Sequence, residues 1–402
     1  MNIFDKCDGY TTAHDAQAAG VYAYYTPIEE STATEARIGG VWKIMVGSNN
    51  YLGLTHHPHV LAAAERALRK YGSGATGSRL LNGTLDLHTE LEERFADFFR
   101  KPAALVFTTG YQANLGVLAS LVGRNDHLFI DRLNHASIVD GARLGIGRMH
   151  RYPHGDFESL GQQIARATEA APGGALVATD GVFSMEGSIV DLPALVRVVK
   201  AEGAQLLVDD AHAIGVLGEN GAGTARHFGL DDEVDLIVAT FSKSLASVGG
   251  VVAGPEPVVH WIRHHARSLI FTASMPPASV GGVLAALDVL EQEPDRRERL
   301  WANTRRVADG LRAMGLDVGV TETPIIPVHI GEMFHALHVW RTLFDNGVFT
   351  HPIIPPAVPT NGCRIRVSMS AEHTDDQVDR VLDAFSLVAR DLLVGERVAG
   401  GG

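Results

Sequence analysis

Cysteine is scarce in this sequence, and long apolar runs and clusters of basic residues are missing from it. The two cysteines, Cys7 and Cys363, form neither a metal-ligand spacing nor a disulfide framework, which is typical of a reducing compartment. The N-terminus lacks a basic region followed by an apolar stretch, so we expect no signal peptide. No apolar run is long enough to cross a bilayer, so we expect a cytoplasmic protein without a transmembrane segment.

The acidic balance of the chain excludes a further class of protein. The 402 residues carry a formal net charge of −13, and no basic run offsets it, so we expect no nucleic-acid partner. Hydrophobic residues make up 46% of the chain and charged residues 20%, which is ordinary for a globular protein. The length exceeds the usual limit of one hydrophobic core, so we expect a large domain with smaller additions.

Several common catalytic motifs are absent as well. The sequence has no HExxH metal motif, no G-x-S-x-G nucleophile elbow and no G-x-x-x-x-G-K-[ST] phosphate loop. The paired histidines at 56–57 and 264–265 lack a third ligand at metal spacing, so we expect no metal site. Residues 72–77 read GSGATG, but a predicted helix precedes them where a dinucleotide-binding fold has a strand. We therefore reject a nicotinamide site there.

The order of the predicted elements indicates an α/β fold. Short apolar strands alternate with helices in the middle of the chain, which is the pattern of a mainly parallel sheet with helices on both faces. We expect an N-terminal arm at 1–55, a large domain at 56–282 and a small C-terminal α+β domain at 283–402. The predicted strands are 103–107, 128–130, 175–179, 205–208, 234–239, 251–253, 325–330 and 364–369. The predicted helices are 58–71, 86–99, 112–122, 192–202, 278–293, 296–314 and 375–393.

Polar residues follow the predicted strands of the large domain, at the edge where an open parallel sheet binds ligands. The segment 108–111 (TTGY) opens a helix whose N–H groups can hold a phosphate. The segment 134–137 (NHAS), Ser184 and the segment 209–212 (DDAH) follow the next three strands. A turn or a helix cap is the alternative explanation for each segment taken alone.

Lys243 follows the next strand, within VATFSKSLASVGG. For a lysine considered alone, an exposed turn is favoured by about ten to one. The whole set of strand-end residues reverses that interpretation. A lysine can form a Schiff base with an aldehyde, a carboxylate can keep a pyridinium nitrogen protonated, and a flat side chain can stack on a ring. With a helix start and hydroxyls to hold a phosphate, these are the requirements of pyridoxal 5′-phosphate.

The motifs around these residues resemble those of the α-oxoamine synthases, a family of fold-type-I pyridoxal phosphate enzymes. The resemblance runs from NNYLGL, which begins at Asn49, to AEHT at 371–374, and it covers most of the chain. TFSKSLASVGG, RERLWAN at Arg297 and FTASMPPA at Phe271 look closest to the bacterial serine palmitoyltransferases. LNHASI at Leu133 looks closer to the 8-amino-7-oxononanoate synthases.

The resemblance implies roles for the site residues. Lys243 would be the Schiff-base lysine and the acid and base at the substrate's Cα, and Asp209 would pair with the pyridinium nitrogen. His212 would contact the phenolic oxygen, and His135 would stack on the ring. The other cofactor-binding residues would be Gly110, Tyr111, Ser184, Thr240 and Ser242, with Thr272 contributed by a partner subunit. The substrate-binding residues would be Asn50 and Arg366.

The implied reaction is a decarboxylative Claisen condensation of serine, alanine or glycine with an acyl thioester. The acyl group would arrive on coenzyme A or on an acyl carrier protein, and the products would be an α-amino ketone, CO2 and a free thiol. The family works as homodimers with shared sites. Where some relatives have an arginine just before the Pro-Pro pair, this chain has Ile354. An aminotransferase and a catalytically inert dimer partner are the alternative functions.

Overall fold

The computed structural model describes residues 2–399. The helices are α1 (Asp5–Asp8), α2 (Thr12–Ala18), α3 (Pro58–Tyr71), α4 (Asp86–Phe98), α5 (Gly110–Leu121), α6 (Ala136–Leu144), α7 (Phe157–Ala170), α8 (Leu192–Ala201), α9 (Thr224–Phe228), α10 (Glu256–His265), α11 (Arg267–Ile270), α12 (Pro277–Gln292), α13 (Asp295–Ala313), α14 (Met333–Asp345) and α15 (Asp375–Ala399). The strands are β1 (Glu30–Ser31), β2 (Glu35–Ile38), β3 (Val41–Met45), β4 (Ala103–Phe107), β5 (His127–Asp131), β6 (Arg148–Tyr152), β7 (Ala175–Asp180), β8 (Gln205–Asp209), β9 (Leu236–Thr240), β10 (Gly250–Gly254), β11 (Ile325–Gly331), β12 (Val348–Phe349), β13 (His351–Ile353) and β14 (Cys363–Ser368).

The chain divides into two compact units. The first unit consists of residues 49–300, and the second consists of the residues up to 48 together with those from 301 onward. This division keeps residues 283–300 with the first unit and joins the N-terminal segment to the C-terminal one.

The first unit is built on a seven-stranded sheet in the order β4-β10-β9-β8-β7-β5-β6. Strands β9, β8, β7, β5 and β6 run parallel to one another, whereas β10 runs antiparallel to both β4 and β9. The inner strands are buried along both faces. On β8, for example, Leu207 packs into a core cluster with α5 and α10, and its neighbours Leu206 and Val208 are fully buried as well. The predicted α/β class with a mainly parallel sheet is confirmed, since such strands read as continuous apolar runs.

The parallel direction of these strands positions the functional site. Strands β5, β7, β8 and β9 all end at one edge of the sheet, at Asp131, Asp180, Asp209 and Thr240. Helices α5 and α6 begin directly after β4 and β5. The strand ends and the helix starts therefore bring polar side chains and backbone N–H groups to the same edge.

The second unit contains two small sheets. One has the order β1-β2-β3-β12, in which β3 pairs in parallel with β12, and the other has the antiparallel order β11-β14-β13. The sequence predicts no strand in the first fifty residues, yet β1, β2 and β3 form there. Their pairing with β12, about 300 residues further along the chain, is a long-range contact that local periodicity does not report.

The structure also contains elements that the sequence does not predict, including α6, α7, α10, α14 and β6. Strand β6 shows the reason most clearly, because it forms the edge of the large sheet and only Tyr152 among its residues is buried. An edge strand with exposed arginines has no apolar alternation to detect. Within residues 2–399, no helix is long and apolar enough to cross a membrane.

Candidate active site

A cavity of about 220 Å³ lies at the carboxyl edge of the large sheet, entirely within the first unit. The residues that line it come from the ends of β7, β8 and β9, from the segments that follow β8 and β9, and from the starts of α5 and α6. They are Thr109, Gly110, Tyr111, Asn114, His135, Ser137, Asp180, Asp209, Ala211, His212, Ala239, Thr240, Ser242, Lys243, Val248 and Gly249. Eight of the residues predicted from the sequence are in this set: Gly110, Tyr111, His135, Asp209, His212, Thr240, Ser242 and Lys243.

Lys243 lies on a tight turn between β9 and β10. The turn is closed by hydrogen bonds from Ala246 N to Lys243 O and from Ser247 N to Phe241 O, both at 3.0 Å. Thr240 Oγ1 lies 3.0 Å from Ser242 Oγ and donates to Gly249 O at 3.2 Å. The turn holds Lys243 half-buried in the wall of the cavity.

The start of α5 forms a second wall of the cavity. Thr109 caps this helix, because its side chain accepts a hydrogen bond from Gln112 N at 3.1 Å. A Cβ atom on Gly110 would lie 2.7 Å from Thr240 Cβ, so only glycine allows the helix start to approach the end of β9 so closely. The first N–H groups of a helix have no partner within it and favour an anion.

The side chains of Asp209 and His135 are joined by a chain of hydrogen bonds. Asn114 Nδ2 donates to Asp209 Oδ2 at 2.6 Å and to Ser137 Oγ at 2.9 Å. Ser137 Oγ lies 2.7 Å from His135 Nδ1, which also accepts from Ser137 N at 3.2 Å. Because Nδ1 accepts, the ring is a neutral tautomer with its hydrogen on Nε2. Asp209 Oδ1 accepts a further hydrogen bond from Ala211 N at 2.9 Å.

The His135 side chain lines the cavity and is exposed there, yet neighbouring groups partly desolvate the ring. This desolvation lowers the pKa of His135, and the positive charge of Lys243 acts in the same direction, whereas Asp209 raises the pKa. A neutral, flat ring is therefore the expected form at pH 7. Tyr111 meets this ring edge to face at 6.4 Å and is anchored by a hydrogen bond from its hydroxyl to Asp140.

Asp180 is a second carboxyl group in the cavity. Its Oδ2 accepts hydrogen bonds from Asn134 Nδ2 at 2.8 Å and from His135 N at 2.9 Å. Burial raises the pKa of Asp180 to about 7, and the neighbouring Asp209 raises it as well. Asp210, the residue after Asp209 in the chain, does not line the cavity. Its carboxylate accepts hydrogen bonds from Thr224 Oγ1 at 2.6 Å and from Thr224 N at 2.9 Å, at the start of α9.

A hydrogen bond with a tyrosine orients the His212 ring. Tyr51 Oη lies 2.7 Å from His212 Nδ1, and Tyr51 is fully buried. The same hydroxyl donates to Asn49 Oδ1 at 3.3 Å. This contact fixes the orientation of the His212 ring in the wall of the cavity.

The remaining predicted residues lie outside the lining of this cavity. Asn50 Nδ2 donates to Thr55 Oγ1 at 2.9 Å, and Thr272 Oγ1 accepts from Gln112 Nε2 at 3.4 Å. Ser184 lies on the turn after β7. Arg366 belongs to the second unit, where it is buried on β14 and pairs with His351 of β13 across the small sheet. Ile354, also in the second unit, packs against an apolar cluster there.

Three residues around the cavity were not predicted from the sequence: Tyr51, Asn114 and Asp180. Ser137 lies in the predicted segment 134–137, but the sequence assigned it no role. Asn114 sits within a helix and Tyr51 within an apolar motif, so their patterns are those of core residues. Asp180 does carry a detectable signal, because it ends a buried strand as Asp209 does. Within the part of the chain that the structure describes, no group of three or more His, Cys, Asp or Glu side chains could hold a metal ion.

Comparison with known proteins agrees with this geometry. The family model described as aminotransferase class I and II matches residues 42–385. The serine palmitoyltransferase of Sphingobacterium spiritivorum is 46% identical over 95% of both chains. The 8-amino-7-oxononanoate synthase of Thermoanaerobacter pseudethanolicus is 40% identical over 94% of this chain and 95% of its own.

The solved structures give the same result. A structure of SPT with its PLP internal aldimine has a TM-score of 0.95 and 37% identity, and the match covers 98% of this chain and 100% of that one. The Sphingomonas wittichii serine palmitoyltransferase has a TM-score of 0.94 and 38% identity, with the same coverage. The fold is therefore that of a fold-type-I transferase. The chain belongs to the aminotransferase class I and II family and, within it, to the α-oxoamine synthases, which are acyltransferases.

Proposed function

We propose that this protein condenses L-serine with a long-chain acyl thioester, releasing CO2 and a free thiol, with pyridoxal 5′-phosphate as its cofactor. The observation that carries the proposal is the cavity that gathers Lys243, Asp209 and His135 beside the start of α5. An amine, a carboxylate, a flat neutral ring and a helix start are the groups that this cofactor requires.

The donor set of the cavity fits the parts of the cofactor. Lys243 Nζ would hold it covalently, and Asp209 would accept a hydrogen bond from the ring nitrogen. The start of α5 at Gly110, with the hydroxyls of Thr240 and Ser242, would hold the phosphate. The cofactor, when bound, supplies a protonated ring that withdraws electrons from the substrate's Cα.

The protein's own groups would control the proton and the geometry at that carbon. Lys243 Nζ would remove the Cα proton of the amino acid and later return a proton to the product. His135 would cover one face of the ring. Its side chain is connected to Asp209 by hydrogen bonds through Ser137 and Asn114. By fixing which bond stands perpendicular to the ring, these residues would decide which bond breaks.

The choice of substrates rests on the relatives. The serine palmitoyltransferases of Sphingobacterium spiritivorum and Bacteroides ovatus are 46% and 43% identical to this chain, whereas the 8-amino-7-oxononanoate synthases reach 40% and 41%. Serine with a long acyl chain is therefore favoured over alanine with a short acid. We infer from the motif resemblance that Arg366 binds the serine carboxylate and that Asn50 contacts the substrate. Ile354 supplies no charge for this purpose.

A second copy of the chain is part of the proposal. Leu81 is 79% exposed and Phe271 is 71% exposed, and they lie on two segments that a bridge between Ser78 and Ala273 joins. Thr108 Oγ1 donates to Ala273 O at 2.6 Å, so these segments adjoin the phosphate end of the cavity. A partner chain that covers these apolar side chains would bring its own Thr272 close to the phosphate.

The test is thiol release from a panel of serine, alanine and glycine crossed with acyl-CoA chains of different lengths. We expect the fastest release with serine and a long chain, together with formation of CO2 and an α-amino ketone. Lys243→Ala should lose both the visible absorbance of the bound cofactor and the turnover, whereas Lys200→Ala, which changes a surface lysine paired with Glu233 and Asp235, should retain both.

Each failure of this test has its own meaning. Conversion of the amino acid to a keto acid without thiol release would identify an aminotransferase. A wild-type protein that binds no cofactor in a stoichiometric assay would be an inert dimer partner. Full turnover by Lys243→Ala would remove the lysine from the mechanism altogether.

A further inference from the structure

Two carboxyl groups stand side by side in the cavity, and the proposed function uses only one of them. Asp180 and Asp209 are the last residues of β7 and β8, and they are opposite each other in the parallel register. Both are buried, with 6% and 4% of their surfaces exposed, and both line the cavity. Parallel strands lie about 4.8 Å apart, so their side chains on the same face are close neighbours.

The hydrogen-bond donors around this pair are neutral groups. Asp180 accepts from Asn134 Nδ2 and His135 N, and Asp209 accepts from Asn114 Nδ2 and Ala211 N. None of these donors brings a positive charge that would compensate for two negative ones.

The titratable groups near Asp180 include Asp209 at the end of β8, His135 at the start of α6, Lys243 on the turn after β9 and Tyr152 at the end of β6. Asp131 at the end of β5 acts on the same Tyr152, and His212 lines the same cavity. Ionising a second buried carboxylate beside the first is costly, so burial and the neighbouring Asp209 both favour a proton on Asp180.

We propose that Asp180 is a positioning residue that works as a neutral carboxylic acid, orienting His135 through its backbone N–H and leaving Asp209 as the only ionised carboxylate of the pair. The inference rests on the proposed cofactor, because the protonated ring nitrogen of pyridoxal phosphate would donate a hydrogen bond to Asp209 and so keep that carboxylate ionised. Asp209 then disfavours a second charge on Asp180. The Asp180 oxygen that accepts from Asn134 and His135 fixes where α6 begins and thus where the His135 ring stands.

This assignment predicts that asparagine can replace one aspartate but not the other. The amide oxygen of Asp180→Asn can accept from Asn134 and His135, and its NH2 group stands in for the acid hydroxyl. We expect Asp180→Asn to keep kcat and the dissociation constant for pyridoxal phosphate within about threefold of wild type. Asp180→Ala, which leaves two buried donors without an acceptor, should weaken binding by about tenfold or more. Asp209→Asn should lose turnover and shift the pH midpoint of the visible absorbance.

A measurement on the cofactor-free protein tests the protonation separately. Burial raises the pKa of Asp180 to about 7 in the folded state, above the value of 3.8 expected for an exposed carboxyl. The stability that its proton contributes is therefore complete below pH 3.8 and is lost as the pH rises to about 7. Asp180→Asn has no such loss, so its thermal midpoint should rise relative to wild type between pH 4 and 7. Asp210 is unchanged in both proteins and cancels from this difference.

Two outcomes would overturn the proposal. If Asp180→Asn loses as much turnover and affinity as Asp209→Asn, then Asp180 acts as a charged group. If the difference in thermal midpoint between Asp180→Asn and wild type stays constant from pH 4 to 7, then Asp180 carries no proton in the folded state. A wild-type protein that binds no pyridoxal phosphate would instead refute the proposed function, while the pH-dependent difference still decides the state of Asp180.

Discussion

Tyr51 and His212 are 161 positions apart in the chain, yet Tyr51 Oη lies 2.7 Å from His212 Nδ1. Tyr51 reads as one apolar residue of NNYLGL, and its buried ring supports that reading. Its hydroxyl adds a second function, because it holds the Nδ1 side of a histidine that lines the cavity. A residue can thus belong to the core by its ring and to the site by a single oxygen.

Tyr51→Phe removes this oxygen without changing the shape of the core. We expect kcat to fall by about tenfold, because the His212 ring loses the contact that fixes its orientation. The pH midpoint of the visible absorbance of the bound cofactor should shift, since His212 would contact the phenolic oxygen of the ring. Steady-state kinetics and a spectrophotometric pH titration measure the two effects.

Tyr71→Phe is the matched control, because Tyr71 bonds to Asp86 on the surface of the protein. It should leave both the kinetics and the titration unchanged. Unchanged kinetics and an unchanged midpoint in Tyr51→Phe, with a loss of stability alone, would reduce Tyr51 to a structural residue.

Individual site residues also differ in how clearly their residue type indicates a function. Lys243 and Asp209 were predicted because a charged residue directly after an apolar strand is conspicuous. Asn114 was not predicted, since a neutral polar residue within a helix is equally compatible with many roles, and Ser137 was predicted only as part of the segment 134–137. Their contribution, joining Asp209 to His135, exists only once α5 and α6 lie side by side.

At the scale of elements, the long amphipathic and apolar segments were predicted most closely. The helix predicted at 58–71 begins and ends where α3 does, and the strand predicted at 103–107 coincides with β4. The strand predicted at 234–239 lies at 236–240 instead. That strand begins later because Asp235 uses its carboxylate to accept from Leu206 N at 2.7 Å.

The contact between α3 and α12 depends on one glycine of a neighbouring pair. A Cβ atom on Gly281 would lie 2.8 Å from Ala67 Cβ and 2.9 Å from Ala63 O, whereas one on Gly282 would have its nearest neighbour at 3.8 Å. We expect Gly281→Ala to lower the free energy of unfolding by about 1–3 kcal/mol, because the helices must move apart.

Gly282→Ala is the internal control for this contact. It should change the free energy of unfolding by less than about 1 kcal/mol, in the stabilising direction, because alanine favours a helix more than glycine does. Chemical denaturation of both variants tests the pair. Equal stabilities would mean that α12 does not approach α3 as closely at Gly281 as the structure shows.

At the scale of the whole molecule, the two units have different relations to the sequence. The first unit is one continuous stretch of chain, and its sheet was predicted strand by strand apart from β6. The second unit joins both ends of the chain, and its N-terminal strands are stabilised by pairing with β12. No local sequence pattern indicates a pairing between segments so far apart in the chain, so the sequence predicts the N-terminal arm and the C-terminal domain as separate regions.

Leu81→Glu tests whether a second copy covers the apolar segment beside the cavity. Leu81 is 79% exposed in the single chain, so a charge there should not disturb its folding. We expect the variant to be monomeric by light scattering and to lose most of its turnover. The monomer should still show an unfolding transition at moderate denaturant concentration, which would establish that it is folded. Phe334→Glu alters an equally exposed side chain of the second unit and should remain dimeric and active.

Two results would contradict this prediction. A wild-type protein that is monomeric at micromolar concentration would rule out the homodimer. A Leu81→Glu variant that stays dimeric with full turnover would place the interface elsewhere on the surface.

The sequence by itself determined the α/β class, the carboxyl edge of the sheet as the place of the site, and Lys243 and Asp209 as residues of interest. It could do so because apolar runs set the strands, and the residue that follows a parallel strand must lie at one known edge. Only the tertiary structure decided which neutral groups complete the site, because contacts such as Asn114 with Asp209 and Tyr51 with His212 depend on the packing of separate elements. The same is true of Asp180, whose raised pKa results from its burial beside Asp209 and from no property of its local sequence.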